Sequence, residues 1–461
     1  MTGRVLVVGA GISGLTAAWA LKQRGIPVTV LESEPRAGGQ IRSLHRDGFV
    51  LETGPNGYLD REGHVARLAV ALGIGDRLRP LSKAGHRRAV FVRSRVRDLP
   101  TSPRAFLRSD VVPWWAKFRL MLEPLTCRCT GSGDESLGGF GRRHVGRHVT
   151  DHLIDAVQTG IFAGDGERLS VRSAFPRMWR MEEKHRSLVL AAAAMRTTGG
   201  GTAPRMGSFE GGLQTLTEAL AGALGPDLHT GVRVRGLARD RTRTRWRATH
   251  DGGSETADRV VLTVPAWSAA QLLRPLEARL GATLDAIRYV PVTVVHFGWT
   301  PALAPPPEGF GVLVPRIEHR RVLGVLFISS AYPFRSRPES TLLTTLVGGA
   351  HSPDIAALDD GPLIDVVREE LRTMLGIERP ASLVEIVRWP RAIPQYDVGH
   401  QGRLDSLAET LQGLPGLVLG GNSLRGPGVA DCVREGLALA ERLAAPETAG
   451  ESSAGLPRTT S

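Results

Sequence analysis

The sequence predicts an α/β protein: a Rossmann-like dinucleotide-binding unit assembled from separated stretches of chain, joined to an α+β part with a mixed sheet. Three observations predict it. Residues 4–14 read as a short strand, a Gly-x-Gly-x-x-Gly turn and a helix start. A strand at 260–264 and a strand, glycine turn and helix at 416–443 bring the chain back to the same kind of unit. Between them, residues 292–297, 311–314, 322–328 and 341–347 are four more strand candidates.

The opening unit says most. Val5, Leu6, Val7 and Val8 are an unbroken apolar run, the pattern of a strand buried on both faces. Gly9 allows a tight turn. Gly11 lets the backbone approach a pyrophosphate, and Gly14 lets helix and strand pack closely. The helix expected over residues 12–24 turns its free N–H groups and positive dipole end toward the phosphates, with Ala10, Ile12 and Ser13 in the turn. A second strand, 28–31, ends at Glu32, about 18 residues past Gly14 and near the spacing of a ribose-binding acid.

Bulk properties bound the rest. A chain of 461 residues calls for two or three domains. With 42% hydrophobic and 23% charged residues it is not mainly disordered. The net charge of +12 is carried almost wholly by Arg. It suits a solvated basic surface, or attraction to an anionic substrate or membrane leaflet. Nucleic acid is not expected, because no binding motif or stacking platform is recognisable. Three cysteines make no disulfide framework, and Cys127 and Cys129 lack a second cluster to complete a zinc site. The first apolar run is too short for a secretory signal, and the longest, 188–195, is far short of a membrane span. The expectation is a cytoplasmic protein, soluble or peripheral at the inner face of the cell membrane.

Along the chain, Arg36 precedes Gly38, Gly39, Gln40 and Ile41, a turn fit to lie against a flat or anionic ligand. Residues 48–57 read as a strand running into the loop Gly54-Pro55-Asn56-Gly57. Val65, Leu68, Ala69 and Leu72 have helical spacing, with Gly73 as the stop. Arg87 and Arg88 enter an apolar strand; such cations sit at a solvated strand end or reach a carboxylate in a cleft. Asp110 is a candidate helix cap and Pro113 a first-turn residue. Trp114, Trp115, Phe118, Met121 and Leu122 mix with Lys117 and Arg119, which fits either a core helix or a membrane interface. The glycine-rich run 158–165 inside a helical region suggests close approach to something. A helix over 214–224, a strand over 228–234 and a disordered tail from Pro446 complete the pass.

Strand, Gly-x-Gly-x-x-Gly-Leu, Glu32, Arg-x-Gly-Gly and the Gly-Pro loop together resemble the flavin-binding half of the amine oxidase and protoporphyrinogen oxidase superfamily. The blocks 158–165 with Leu169-Ser170-Val171, 208–213, 388–396, and 421–432 extend the likeness from Arg4 to about Leu443. They are most similar to the oxygen-dependent bacterial members.

That resemblance implies FAD. It implies a flavin domain built from residues 1–85, 206–269 and 401–445, a helical membrane-binding and substrate-access region at 86–205, and a substrate domain at 270–400, with 446–461 as the tail. It implies oxidation of protoporphyrinogen IX in porphyrin biosynthesis by three hydride transfers to flavin N5, with dioxygen as acceptor and peroxide as product. No enzymic base is obligatory, since bridge carbons and pyrrole N–H groups rearrange by tautomerism. Porphyrinogen, dioxygen and an anionic membrane surface are the implied partners, and a homodimer is left open. Coproporphyrinogen III, with four propionates instead of two, is the rival substrate. An amine oxidase is more distant: its substrate domain usually carries a lysine, and here Lys22, Lys83, Lys117 and Lys184 all lie before residue 270. A flavin-bearing binding protein without turnover is the third reading.

Site residues carry over by position. For the flavin these are Gly9, Ala10, Gly11, Ile12, Ser13, Gly14, Glu32, Ser33, Gly39, Gln40, Gly54, Pro55, Asn56, Gly57, Val234, Trp389, Pro427, Gly428 and Val429. Pro427 departs from the Gly-Val-Gly form common in the family. For the substrate, Arg88 matches an arginine facing a propionate, and Asn56 replaces the Arg of animal members. Gly164 matches a glycine whose backbone faces the reacting ring. Leu313 and Phe327 match apolar positions that sandwich the macrocycle, with core packing as the alternative.

Overall fold

A computed structural model describes residues 3–100, 102–126, 133–197, 205–240 and 245–445. Cys127, Cys129 and the expected tail from Pro446 lie outside them.

Five parallel strands make the first sheet, in the order Leu228–His229, Val28–Leu31, Val5–Val8, Arg259–Leu262, Leu417–Leu419. Val5, Leu6, Val7 and Val8 are all buried because both faces are covered. Val5 and Val7 pack with helices Ile12–Gln23, Gln214–Leu224 and Val429–Ala444 on one side. Leu6 and Val8 pack with Trp246, Leu273, Leu280 and Leu407 on the other. The sheet draws on segments more than 400 residues apart, as the returning strand motifs predict.

Seven strands make the second sheet, in the order Leu383–Pro394, Tyr289–Trp299, Thr341–Gly348, Gly324–Phe327, Gly311–Leu313, Ala89–Val92, Arg95–Asp98. All pair antiparallel except Gly311–Leu313 with Ala89–Val92. Helix Asp360–Leu375 covers one face through Leu363, Val367 and Leu371. The stretch expected to be helical from residue 86 therefore starts with two strands of this sheet. The helical layer packs on Val90 and Val92, through Val111, Ala116, Val145, Val149 and Ala156.

Several local readings change. The strand expected over 228–234 breaks at Gly231, whose φ of +72° bends the chain out of the parallel sheet. Val234 then opens Val234–Arg239, in a separate three-stranded antiparallel sheet. The strand expected over 322–328 shortens to Gly324–Phe327, and Ile328–Ala331 is one helical turn. Asp110 caps nothing; it pairs with Arg97. Pro113 is the extended residue before helix Trp114–Met121 instead of its first turn. That helix is not a core helix. Ala116 is buried, but Trp114 is 78% exposed, Phe118 54% and the following Leu125 84%. Among the described residues no helix is long and apolar enough to cross a membrane.

One buried ion pair joins the two sheets' territories. Arg335 Nη2 donates to Glu52 Oε1 (3.0 Å), and both side chains are sealed from solvent. Glu52 also accepts from the Leu213 N–H (2.7 Å) and Ser43 Oγ (2.9 Å). Two histidines are buried nearby or in the neighbouring layer. Burial pushes the His296 imidazole down to about 4, opposed by a hydrogen bond to the Glu52 backbone and reinforced by Arg335. Burial likewise pushes His400, stacked on Tyr396, down to about 4.

Arg335→Met strands a buried carboxylate and is expected to cost about 3–5 kcal/mol, with most of that recovered in the Glu52→Gln/Arg335→Met double variant. Urea titrations of the three proteins check it. An acid dependence follows from the histidines. Their folded pKa values lie below the unfolded value near 6.5, so the unfolded chain binds more protons as pH falls from about 6.5 to about 4. Their stabilisation is whole above that window and is lost within it, up to about 2–3 kcal/mol each. The urea midpoint should drop between pH 7.5 and pH 5, and less in the His296→Gln/His400→Gln variant.

Candidate active site

The dinucleotide end is set at the C-terminal edge of the parallel sheet. Val8 hands the chain to Gly9 at φ +101°, and Gly11, extended, precedes helix Ile12–Gln23. No side chain caps that helix and no acid lies in its first turn, so its end N–H groups are open to an anion. A Cβ on Gly11 would meet no atom within 4 Å: the space over the turn is free. A Cβ on Gly14, by contrast, would sit 2.1 Å from Gly9 O, so this glycine is required by strand–helix packing. The packing role of Gly14 is the one read from the sequence.

Two more turns close on this one. Gly38 N–H donates to Ala10 O (2.8 Å), and Arg36 holds the turn's shape by donating to Ala37, Gly39 and Ile41 carbonyls. Glu32 is buried beside it and accepts from Ala10 N–H (2.7 Å) and Glu34 N–H (2.9 Å), with Ser33 Oγ at 3.2 Å. The chain around Val234 reaches this point because Val232 N–H donates to Glu32 O (2.7 Å). From the far side, Gly428 is the extended residue before helix Val429–Ala444 and follows Pro427. This second helix crosses the first at Gly436, where a Cβ would lie 2.6 Å from Ser13 O. Two helix starts and two glycine turns thus face one stretch of sheet edge, a cradle suited to a pyrophosphate. The residues present fit FAD.

A cleft adjoins this end. Its floor is one face of the seven-stranded sheet. Leu313 pairs with Gly324, Gly324 with Leu346, and Leu346 with Val294, so these residues share a face across four strands. Leu326, two residues from Gly324, lies on that face too. Leu313, Leu326 and Leu346 are only half-buried. The opposite face is core: Val312, Val325, Phe327, Leu343 and Val347 are buried together. Phe327 therefore does not sandwich a ligand with Leu313, since it points through the sheet into the core; Leu326 holds the place on Leu313's face, against the cluster of Phe49, Leu51, Ile328 and Leu342. The wall is helix Asp155–Phe162. Gly160 lies so close to Leu313 that a Cβ would be 2.8 Å from its Cδ2. Val157 and Ile161, four residues apart on one side of this helix, are 42% and 46% exposed, high for large apolar residues.

The two sites share their edges. Trp389 lies on the cleft face beside Val292 and donates to Thr53 O (2.6 Å), next to Gly54. Gln40 Nε2 donates to Ala392 O (2.9 Å), and a Cβ on Gly54 would meet Gln40 O at 2.4 Å. Past Pro55, the Asn56 side-chain oxygen is buried without a partner. Gly57 packs under the Tyr332 hydroxyl and against Gly207 O. Arg88 shares the cleft face with Val90 and Leu313. Its guanidinium rests on Met206 Sδ and lies 5.9 Å from the Phe310 ring centroid, and among the described residues it makes no ion pair. Gly164 closes the wall, where a Cβ would be 2.5 Å from Gln395 Oε1. A separate cavity of about 460 Å³ lies beside the same helix, but its Arg142 and Arg147 are paired with Glu167 and Asp151.

Sequence reasoning missed Val157, Ile161, Leu326, Leu346 and Tyr332. Only strand register, or exposure on a folded helix, separates these from ordinary core residues.

Residues 12–444 match the model of the flavin containing amine oxidoreductases. The mitochondrial protoporphyrinogen oxidase of Nicotiana tabacum is 32% identical, over 94% of this chain and 93% of that protein. The coproporphyrinogen III oxidase of Bacillus subtilis (strain 168) is 31% identical, over 94% of this chain and 96% of that protein. A crystal structure from Exiguobacterium sp. 255-15, provisionally described as a protoporphyrinogen oxidase, superposes with a TM-score of 0.83 at 25% identity, covering 96% of this chain and 99% of that one. Matching turns at the sheet edge, a family model spanning nearly the whole chain and relatives aligned end to end agree: the chain belongs to the flavin containing amine oxidoreductase family, an FAD-dependent oxidoreductase.

Proposed function

We propose that the chain oxidises protoporphyrinogen IX to protoporphyrin IX. The observation that carries this reading is the cleft. It has a leucine floor, a Val157–Ile161 wall and, at its edge, the cation of Arg88, which makes no ion pair among the described residues. A flat, largely apolar macrocycle with few carboxylates suits such a surface.

Bound FAD supplies the two-electron acceptor. The chain's own residues bind and orient. Arg88 takes a propionate as a charge-assisted pair. Leu313, Leu326 and Leu346 face one side of the macrocycle, and Val157 and Ile161 the other, excluding water from the reacting bridge. Asn56 Oδ1 accepts a hydrogen bond that the protein leaves unmade. No side chain is needed as a base, since tautomerism within the tetrapyrrole moves the remaining protons. Dioxygen is the terminal acceptor in this reading and peroxide its product. Coproporphyrinogen III is a second reading, favoured by the Bacillus subtilis relative.

We also place the protein at the inner face of the cell membrane. Trp114, Trp115, Phe118, Met121 and Leu125 are exposed beside Lys117 and Arg119, a composition suited to an anionic interface.

Anaerobic mixing with each porphyrinogen tests the activity. Bleaching of the flavin by protoporphyrinogen is expected. A clear preference for coproporphyrinogen moves the assignment to the second reading, and no bleaching by either ends both. Arg88→Ala should raise KM about 10- to 100-fold, the worth of a lost charge-assisted bond, with FAD content unchanged. Equal loss of flavin would make Arg88 structural. For the membrane, Trp114→Ser/Phe118→Ser should lower partition onto anionic vesicles by more than about tenfold, as loss of two large apolar side chains requires. Sedimentation with vesicles measures it, and unchanged binding would sink the placement.

A further inference from the structure

Helix Asp155–Phe162 ends in an unusual way. Ala163 adopts φ +46°, a left-handed conformation that a side chain disfavours. Such strain persists only where the surroundings over-determine it. Here they do. Three successive carbonyls are each held by a separate donor. Gln395 Nε2 donates to Phe162 O (2.9 Å). Ala350 N–H donates to Ala163 O (2.8 Å). Gln158 Nε2 donates to Gly164 O (3.2 Å). The donors come from a strand end, a turn and the helix itself.

Both glutamines are fully buried, and the side-chain oxygen of each has no partner. Their orientation is fixed all the same. Gln395 Nε2 also donates to Ile393 O (3.1 Å), and Gln158 Nε2 to Asp155 Oδ1 and Thr159 Oγ1 (both 3.0 Å), so turning either amide over would set oxygen against oxygen. Both oxygens consequently converge on Gly164, where a Cβ would be 2.5 Å from Gln395 Oε1 and 3.3 Å from Gln158 Oε1. The glycine is demanded from inside the protein, by the Gln395 amide and by Leu169 Cδ1 at 2.8 Å, with the Gln158 amide tight behind them, and not by space for a ligand.

Filling volume does not require this. Methionine has a similar length and would leave no unpaired oxygen in the core. What the amides supply is direction: each fixes where one peptide plane points. The segment they fix lies at the junction of the two sites. Ala163 packs on the cleft face with Val292, Leu346 and Trp389, and Trp389 is tied to Thr53 in the flavin loop.

We propose that Gln158 and Gln395 are positioning residues for the oxidation, clamping the Phe162–Gly164 backbone so that it seats the macrocycle's reacting bridge toward the flavin. This rests on the porphyrinogen reading above. The clamp touches neither the propionate contact at Arg88 nor the pyrophosphate turn. It should therefore act on the reaction rate and leave both affinities alone.

The test is Gln158→Met and Gln395→Met, assayed as FAD-loaded enzyme with protoporphyrinogen and coproporphyrinogen. Expected are a kcat and an anaerobic flavin-bleaching rate lower by about 10- to 100-fold, the scale of a small misplacement, with KM within about twofold and FAD content unchanged. A lower melting temperature with wild-type kcat would show a purely structural role and overturn the proposal. So would a loss confined to KM or to bound FAD. If a Met variant fails to fold, Gln158→Asn and Gln395→Asn, whose amides stop one methylene short, should show the same kcat loss. Wild-type enzyme run in parallel separates the two ideas. Wild type that bleaches while the variants match it removes only the clamp. Wild type that does not bleach with either porphyrinogen removes the porphyrinogen reading, and the clamp with it.

Discussion

Glu52 is the residue on which both halves of the molecule lean. It ends strand Phe49–Glu52 and immediately precedes the Thr53–Gly57 loop, which is tied to Trp389 through the Thr53 carbonyl. Its carboxylate accepts from the N–H of Leu213, at the start of helix Gln214–Leu224, which has no cap from its own side chain. It therefore serves as that helix's missing cap while also binding Arg335 from the substrate side. Burial pushes the Glu52 carboxyl upward and the Arg335 charge pulls it back, so the pair is held by geometry more than by attraction. Arg335 in turn stacks on Tyr332, 4.5 Å from the ring centroid, and Tyr332 supports Gly57. The loop is thus anchored at its start by a carboxylate and at its end by a phenol ring.

What could be read from the sequence was whatever is decided locally. In the first turn Gly9 is set by its positive φ and Gly14 by the Gly9 carbonyl five residues back, and Glu32 follows the next strand. The same holds for Gly428 before its helix. Residues decided by distant partners were not legible. The run from Val322 to Ile328 is apolar without alternation, so nothing in it says which residues face the core. A one-residue shift moves a side chain to the other face, and this is the whole difference between Phe327 and Leu326. The break after His229 depends on Val232 finding Glu32, a contact across two hundred residues. Trp114 to Met121 has the mixed composition of a core helix or a surface one, and only the exposure of Trp114, Trp115, Phe118 and Met121 among the described residues decides between them.

The cleft is mostly apolar, and that suits a substrate able to rearrange its own protons. A general base would require a buried titratable group with a charge partner beside the reacting atoms. Two of the buried charged pairs, Glu52 with Arg335 and Glu123 with His144, are occupied with holding chain segments together. In the proposed reaction, selectivity would come from shape and from Arg88, and rate from how well the walls are fixed. That places the burden on backbone geometry at Gly160 and Gly164.

The exposed Trp115 packs, from its own helix, against a helical run that ends beside Leu313. Residues 147–162 pass from Arg147–Val149 through a wide turn at Thr150–Ile154 into Asp155–Phe162. Before the turn, His148 meets Trp115 edge-on at 5.1 Å and stacks on His152 at 4.0 Å. After it, Gly160 lies against Leu313, and Val157 and Ile161 are exposed. A wide turn inserts about one extra residue and so rotates the next stretch of helix by about 100°. Without that offset, the side of the helix that meets Trp115 would not be set apart from the side that meets the cleft. The widened turn lets one short rod serve the outer apolar surface at one end and the substrate wall at the other. A change at Trp115 can therefore reach the wall through packed helix alone, with no loop between them to absorb it.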